Sequence, residues 1–219
     1  MRSKTRANGR QRSFIEQARR AQIVRAAIET VAETGYSGAS LSRIARRAGI
    51  SKSVISYHFA GKDDLLTQVV TDFFADTEAH MRAELAAART ATDLIRTWVS
   101  AQIDYFARHR AQFLAMTEIV MNHRDAAGAR PFLEVIAGEV EAISRILTDG
   151  QRAGEFRDFV VTDVAVIIIR ATEGVLGAWM ADEHTDLDAQ TAALIDFIDH
   201  AIRNQPPPNP PPHHATQGA

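Results

Sequence analysis

The chain has 219 residues, 46% of them apolar and 24% charged, with a formal net charge of −2. These values exclude a collagen-like or wholly disordered chain, and the lack of any cysteine excludes disulfides, a thiolate nucleophile, cysteine-ligated zinc and iron–sulfur clusters. The total of −2 argues against a polyanionic partner until it is divided: residues 1–62 hold 13 Lys and Arg against three Asp and Glu, a net of +10, and residues 63–219 hold 12 against 24, a net of −12.

The start, Met1 to about Ser13, is basic and has no apolar periodicity, so residues 1–13 are expected to form a mobile arm. It carries no apolar run of the kind a secretory signal needs, and a cytoplasmic protein is expected. A first helix is predicted from Phe14 to Glu33, with Ile23, Val24, Ala27, Ile28 and Val31 on one face. Gly35 and Gly38 end it. Ser40 is a candidate N-cap for a short second helix, in which Leu41, Ile44, Ala45 and Ala48 form one stripe. Gly49 breaks the chain, Ser51 is a second candidate N-cap, and a third helix is predicted from Lys52 to Phe59, anchored by Ile55 and Phe59. Gly61 breaks it again, and Asp63 and Asp64 suit the positive end of a fourth helix.

Two short helices joined by a glycine turn make a helix-turn-helix, in which Ala45 and Ala48 permit close crossing and the third helix would enter the major groove. A generic helical hairpin has the same spacing. The stretch LSRIARRAGISKSVISYHFAGKDDLL, Leu41 to Leu66, goes further, because it resembles the DNA-binding signature of TetR-family transcriptional regulators. The resemblance extends back through AAIETVAETGYSGAS and is carried by Ile44-Ala45, Gly49, Ser51, His58-Phe59, Lys62 and Leu65-Leu66. It departs at one place: the slot after Ile55, often tyrosine in the family, is Ser56, and the tyrosine follows at Tyr57.

The candidate DNA contacts follow. Ser42 and Arg43, opening the second helix, would reach phosphate or a base edge. Lys52, Ser53 and Ser56 are the outward positions of the third helix, and lysine donates to guanine O6 and N7. Val54 would touch a thymine methyl or simply lie at the surface. The resemblance implies that Tyr57 and His58 bind phosphates, and Lys62 is placed with them beside the start of the fourth helix. Arg46 and Arg47 would add only field strength, while Leu41, Ile44, Ala45, Ile55 and Phe59 are assigned to core.

Body helices are predicted near 64–88, 92–108, 110–123, 130–152, 162–183 and 187–203. The fold class is therefore all-α, with a helix-turn-helix domain over 14–62 and a larger helical domain over 63–204. The resemblance implies that this larger domain binds a ligand and dimerises. Phe73, Trp98, Tyr105, Phe106, His109, Phe113, Met116 and Met121, together with Phe74 and Phe132, have the spacing of core residues and also the composition of an apolar ligand cavity. His109, Arg110, Glu118, His123 and Arg124 are candidate polar anchors. The apolar stretch 162–183 contains Arg170, Glu173, Asp182 and Glu183, which argues against a membrane span, and it is expected to be buried on more than one side. Its Ile167, Ala171, Gly174 and Ala178, with Leu194, Phe197, Ile198 and Ala201 of the last helix, are the candidate dimer interface. From Gln205 the tail QPPPNPPPHHATQGA reads as a disordered polyproline-type extension, with His213 and His214 exposed to solvent. No metal, cofactor or catalytic constellation is expected, since His80, His109 and His123 show no tight two-histidine spacing on one helical face. The sequence thus points to a homodimeric, effector-responsive DNA-binding regulator, most simply a repressor at a palindromic operator. An adaptor that keeps the helix-turn-helix only as scaffold is the alternative.

Overall fold

Apolar residues at three- and four-residue spacing, with almost no proline to interrupt them, drive the chain into helix throughout. The computed structural model describes residues 3–124, 133–182 and 184–204. Among these residues lie nine helices: α1 (Ser3–Gly38), α2 (Leu41–Arg47), α3 (Lys52–His58), α4 (Lys62–Leu85), α5 (Ala91–Arg108), α6 (Arg110–Asn122), α7 (Leu133–Arg152), α8 (Val161–Ala181) and α9 (Leu187–Ile202). The expected tail from Gln205, with His213 and His214, lies outside the described residues, as do Pro131 and Phe132.

The first helix differs from the expectation at both ends. It begins at Ser3, so residues 3–13 continue the helix where a mobile arm was expected. Arg, Lys, Gln and Ala propagate a helix well once a turn exists, and an apolar face is not required for that. At the other end the helix does not stop at Glu33. It runs to a break at Gly35, where φ is +69°, and resumes as one turn to Gly38. Ser40 caps α2, its hydroxyl accepting from the Arg43 N–H at 3.2 Å. Ser51 does not cap α3 by its side chain; its hydroxyl bonds to that of Ser53 at 2.8 Å instead.

α1, α2 and α3 pack together, and α1 also lies along α4 and α6. One continuous core therefore runs from Ile23, Ile44 and Ile55 through Leu65 and Leu66 into Ile95, Ile119, Ile143 and Leu147. The start of α5 is fixed from a distance. Glu155, beyond α7, accepts from the Ala91 and Thr92 N–H groups at 3.1 and 3.0 Å and from the Thr92 hydroxyl at 2.9 Å. Gly150 makes this approach possible, because a Cβ there would fall 2.2 Å from the Phe156 ring. Arg96 of α5 pairs with the buried Asp199 of α9 at 2.5 Å, tying the last helix to the body.

α8 is long and apolar enough to cross a membrane by length and composition alone. The sequence suggested burial on more than one side, and within this chain one side is covered. Ala165, Ile168, Ile169, Thr172 and Leu176 face the core, and α7 and α9 pack against the helix. The opposite face carries exposed Val166, Ile167, Gly174 and Ala178. The reason is steric: α7 and α9 cover one side of α8, and among the described residues nothing covers the other.

Candidate nucleic-acid interface and effector cleft

Helix α3 has only seven residues, too few to be stable alone. It is held from behind. The Ile55 side chain is 0% exposed, and Phe59 is buried beside it. The turn between α2 and α3 passes through Gly49 at φ +66°, with the Ile50 N–H donating to the Ala45 carbonyl at 3.0 Å. α1 then pins both ends of the motif. Gln22 donates to the Ala48 carbonyl at 2.7 Å, and Arg20 donates to the His58 carbonyl at 2.5 Å and to Gln68 of α4 at 3.0 Å. The Arg20 guanidinium also lies 4.3 Å from the centre of the Phe59 ring.

This support leaves the opposite face free. Lys52, Ser53, Ser56 and Tyr57 are exposed, with Tyr57 at 73%, and Val54 and His58 are half-buried. The Tyr57 and His58 rings meet edge to face at 5.0 Å. On α2, Ser42 is exposed, and Arg43 is exposed while donating to the Gly38 carbonyl at 2.9 Å. Arg47 is turned back toward α1, where it pairs with Glu29 and Glu33. Two of the three acids in residues 1–62 are thereby matched to a single arginine, and Arg46 stays exposed on the same turn.

Lys62 opens α4, as the sequence placed it, but its ammonium is turned inward. Its ammonium donates to the Tyr36 carbonyl at 2.7 Å and lies 4.3 Å from the Tyr36 ring centre. Burial lowers its pKa, and neighbouring Asp63 partly opposes that. The break at Gly35 exposes a carbonyl at the end of α1, and Lys62 is drawn inward to meet it. Tyr36 is also gripped by the body: its N–H donates to Glu118 of α6 at 3.0 Å, and its hydroxyl lies 3.2 Å from His123 Nδ1. Glu118 and His123, expected as ligand anchors, therefore join α6 to α1. Of the other anchors, Arg110 stacks over Trp179 at 5.2 Å, and Arg124 bonds to the carbonyls of Met121 and His123.

The eight expected ligand residues divide three ways. Trp98, Phe106, Phe113 and Met116 are buried. Phe106 and Phe113 stack at 4.6 Å, and Phe73 lies 5.3 Å from Phe106, so this cluster is packed core. Met121 is exposed and stands apart from it. A helical stripe that is apolar on both flanks gives no sign of which residues meet a neighbouring helix. Phe73, Tyr105 and His109 line a cleft of about 360 Å³ between α1, α4, α5 and α6. Among the described residues, no group of three or more His, Asp or Glu comes together in a way that could hold a metal ion.

The candidate dimer residues divide as well. Ile167 is 58% and Phe197 64% exposed; Gly174 and Ala178 are exposed beside them, and Ala171 and Ala201 are half-buried. Leu194 and Ile198 point inward and belong to the core of this chain. On a helix, residues 194 and 198 lie nearly in line, and 197 and 201 form a neighbouring line about 60° away. The sequence merged these two lines into one stripe.

Residues 23–69 match the model of the bacterial regulatory proteins of the tetR family. Over the whole length, the fatty acid metabolism regulator protein of Bacillus subtilis is 24% identical across 186 residues, covering 84% of this chain and 95% of that one. The transcriptional repressor NicS of Pseudomonas putida is 26% identical across 196 residues, covering 84% and 91%. The solved structure of FadR from Bacillus subtilis in complex with stearoyl-CoA superposes with a TM-score of 0.71 at 22% identity, over 84% of this chain and 99% of that one. The chain belongs to the TetR family. It is a DNA-binding transcriptional regulator.

The match to the TetR family begins at Ile23 within α1 and ends at Val69 within α4, so it takes in α2, α3 and the turn between them. Some residues that matter to this TetR-family head gave no signal in the sequence. Arg20 and Gln22 donate to backbone carbonyls 38 and 26 positions away, and Tyr36 donates its own N–H to the Glu118 carboxylate 82 positions away, which no local pattern encodes. Asp72 and Asp76 of the cleft did leave a trace, two carboxylates one turn apart flanking Phe73.

Proposed function

We propose that this TetR-family regulator is a homodimeric repressor that binds a palindromic operator and leaves it when a small-molecule effector binds the body. The observation that carries the reading is the polarity of α3. Its apolar anchors Ile55 and Phe59 are buried, and Lys52, Ser53, Ser56 and Tyr57 stand free on one exposed face. A face of donors with one cation suits base edges and phosphates in a major groove. Lys52 and Ser56 are the proposed base readers, with Ser53 and Val54 beside them; Ser42, Arg43, Tyr57 and His58 are the proposed phosphate contacts. One such helix reads few base pairs, so two heads on a two-fold axis are needed for specificity.

The exposed apolar stripe of Ile167, Gly174 and Ala178 on α8, with Phe197 on α9, supports a four-helix interface between two copies. Ala171 and Ala201 would lie at its margin. The repressor reading draws on the relative from Pseudomonas putida, which is named a repressor. The effector reading draws on the Bacillus subtilis FadR structure with its stearoyl-CoA. An effector acts only through unequal affinity for the two head arrangements.

The test begins by selecting duplexes from a random pool with the purified protein. The selected sites are then titrated in a gel shift at rising salt. The reading expects palindromic sites whose affinity falls by about a decade or more for each doubling of salt. A pool that shows no enrichment would refute it.

A further inference from the structure

The cleft beside Tyr105 has walls from two parts of the molecule. Val24, Arg25 and Ile28 of α1 form one side; Asp72, Phe73 and Asp76 of α4 form the other. Its volume of about 360 Å³ is at the small end of ordinary ligand sites. The floor is rigid. The Tyr105 ring is stacked between His80 at 4.8 Å and His109 at 4.1 Å. His109 Nδ1 lies 2.8 Å from the Tyr105 carbonyl, so in the neutral ring that nitrogen donates and Nε2 is left as an acceptor.

The polar lining comprises the Asp72 and Asp76 carboxylates, the Arg25 guanidinium, His109, the Tyr105 hydroxyl and the Gln112 amide, so the carboxylates outnumber the guanidinium. Asp72 accepts from Gln68 at 2.7 Å through one oxygen. Asp76 is exposed and has no ion pair among the described residues. Arg25, across the cleft, pairs with neither acid. Two carboxylates and an imidazole acceptor beside an aromatic floor form a setting that favours a cation, and the Val24, Ile28 and Phe73 surfaces favour an apolar body attached to it.

We propose that this cleft is the effector site and that it takes an amphiphilic organic cation, its ammonium toward Asp72 and Asp76 and its apolar part against Phe73 and the α1 wall. The assignment as effector site rests on the regulator reading above. The route to DNA is short. The wall formed by α1 is the same helix that holds α2 and α3 through Gln22 and Arg20. A ligand that wedges α1 from α4 therefore displaces the reading helix directly. The two carboxylates disfavour a polyanion at this place.

The experiment uses the full-length protein and three matched probes: 4-phenylbutylamine, 4-phenylbutanol and 4-phenylbutyrate. Calorimetry is expected to show the amine binding at least tenfold tighter than either of the others. The double variant D72N/D76N, which keeps the size of both side chains and the Gln68 hydrogen bond's acceptor oxygen, is expected to remove that preference with its thermal transition unchanged. Butyrate binding as tightly as the amine, or no amine binding at 5 mM, or an unchanged preference in the variant, would overturn the site. A gel shift on a selected duplex is the second arm, with at least a tenfold loss of DNA affinity expected at saturating amine. Amine binding with DNA affinity unchanged would overturn the effector role, whereas DNA selection that fails without any ligand would overturn the regulator reading itself.

Discussion

Replacing Ile55 by Ala should separate the head from the body. The side chain is wholly buried in the core cluster that also holds Ile23, Ile44 and Leu65. The substitution removes three carbons, about 2.4 kcal/mol of transfer free energy at ~0.8 kcal/mol each, and the remaining cavity raises the loss toward ~3–4 kcal/mol. The seven residues of α3 have no other wholly buried anchor of their own, Phe59 being the cap residue that follows them. A two-turn helix that loses this anchor frays locally before the rest of the chain unfolds. The expected result is a circular dichroism spectrum close to wild type, since the long helices remain, with affinity for a selected duplex reduced at least a hundredfold. Operator binding within threefold of wild type would show that Ile55 does not hold the reading helix, and the reasoning about α3 would fail.

The other predictions concern charge and the α8–α9 face. Lys52→Ala should lower affinity for the selected site by about 1–3 kcal/mol and relax base preference at particular positions, while Lys62→Ala should weaken binding without altering its salt slope, because its ammonium is spent on the Tyr36 carbonyl; a salt titration of both separates them. Burial raises the Glu139 pKa, which the hydrogen bond from Gln102 only partly offsets. The folded state then binds its proton more tightly than the unfolded state, so wild-type stability falls as pH rises from the unfolded value near 4.5 through the folded one. Glu139→Gln should remove that fall, leaving the variant the more stable at neutral pH in thermal melts; a variant less stable at pH 7 and equal at pH 4 would contradict it. Ile167→Arg should leave the fold intact, since this side chain is exposed, and should shift sedimentation from dimer toward monomer.

The helical pattern was legible because it is local: Ser40 caps α2, Gly49 takes the positive φ of the turn, and Ile55 and Phe59 are buried as their spacing required. What could not be read is which partner each polar group finds. Lys62 looked like a phosphate ligand because it opens α4, and only the break at Gly35 supplies the carbonyl that turns it inward. Glu118 and His123 carry the chemistry of ligand anchors, yet both meet Tyr36 across more than 80 residues of chain. Leu194 and Ile198, expected in the dimer stripe, face the core for a different reason. Leu194 and Phe197 are both apolar and three residues apart, and pattern alone does not distinguish a residue facing its own core from one facing a second copy. The charge total of −2 misled in the same way, since it summed a head of +10 with a body of −12.

The central claim is that two α3 helices read DNA together. Hydroxyl-radical footprinting of a selected duplex tests it most directly. The account predicts two symmetric protected patches, centred about one helical turn or a whole multiple of it apart and on one face of the duplex, lost together in the Ile55→Ala variant. A single asymmetric patch, or uniform protection independent of sequence, would contradict it.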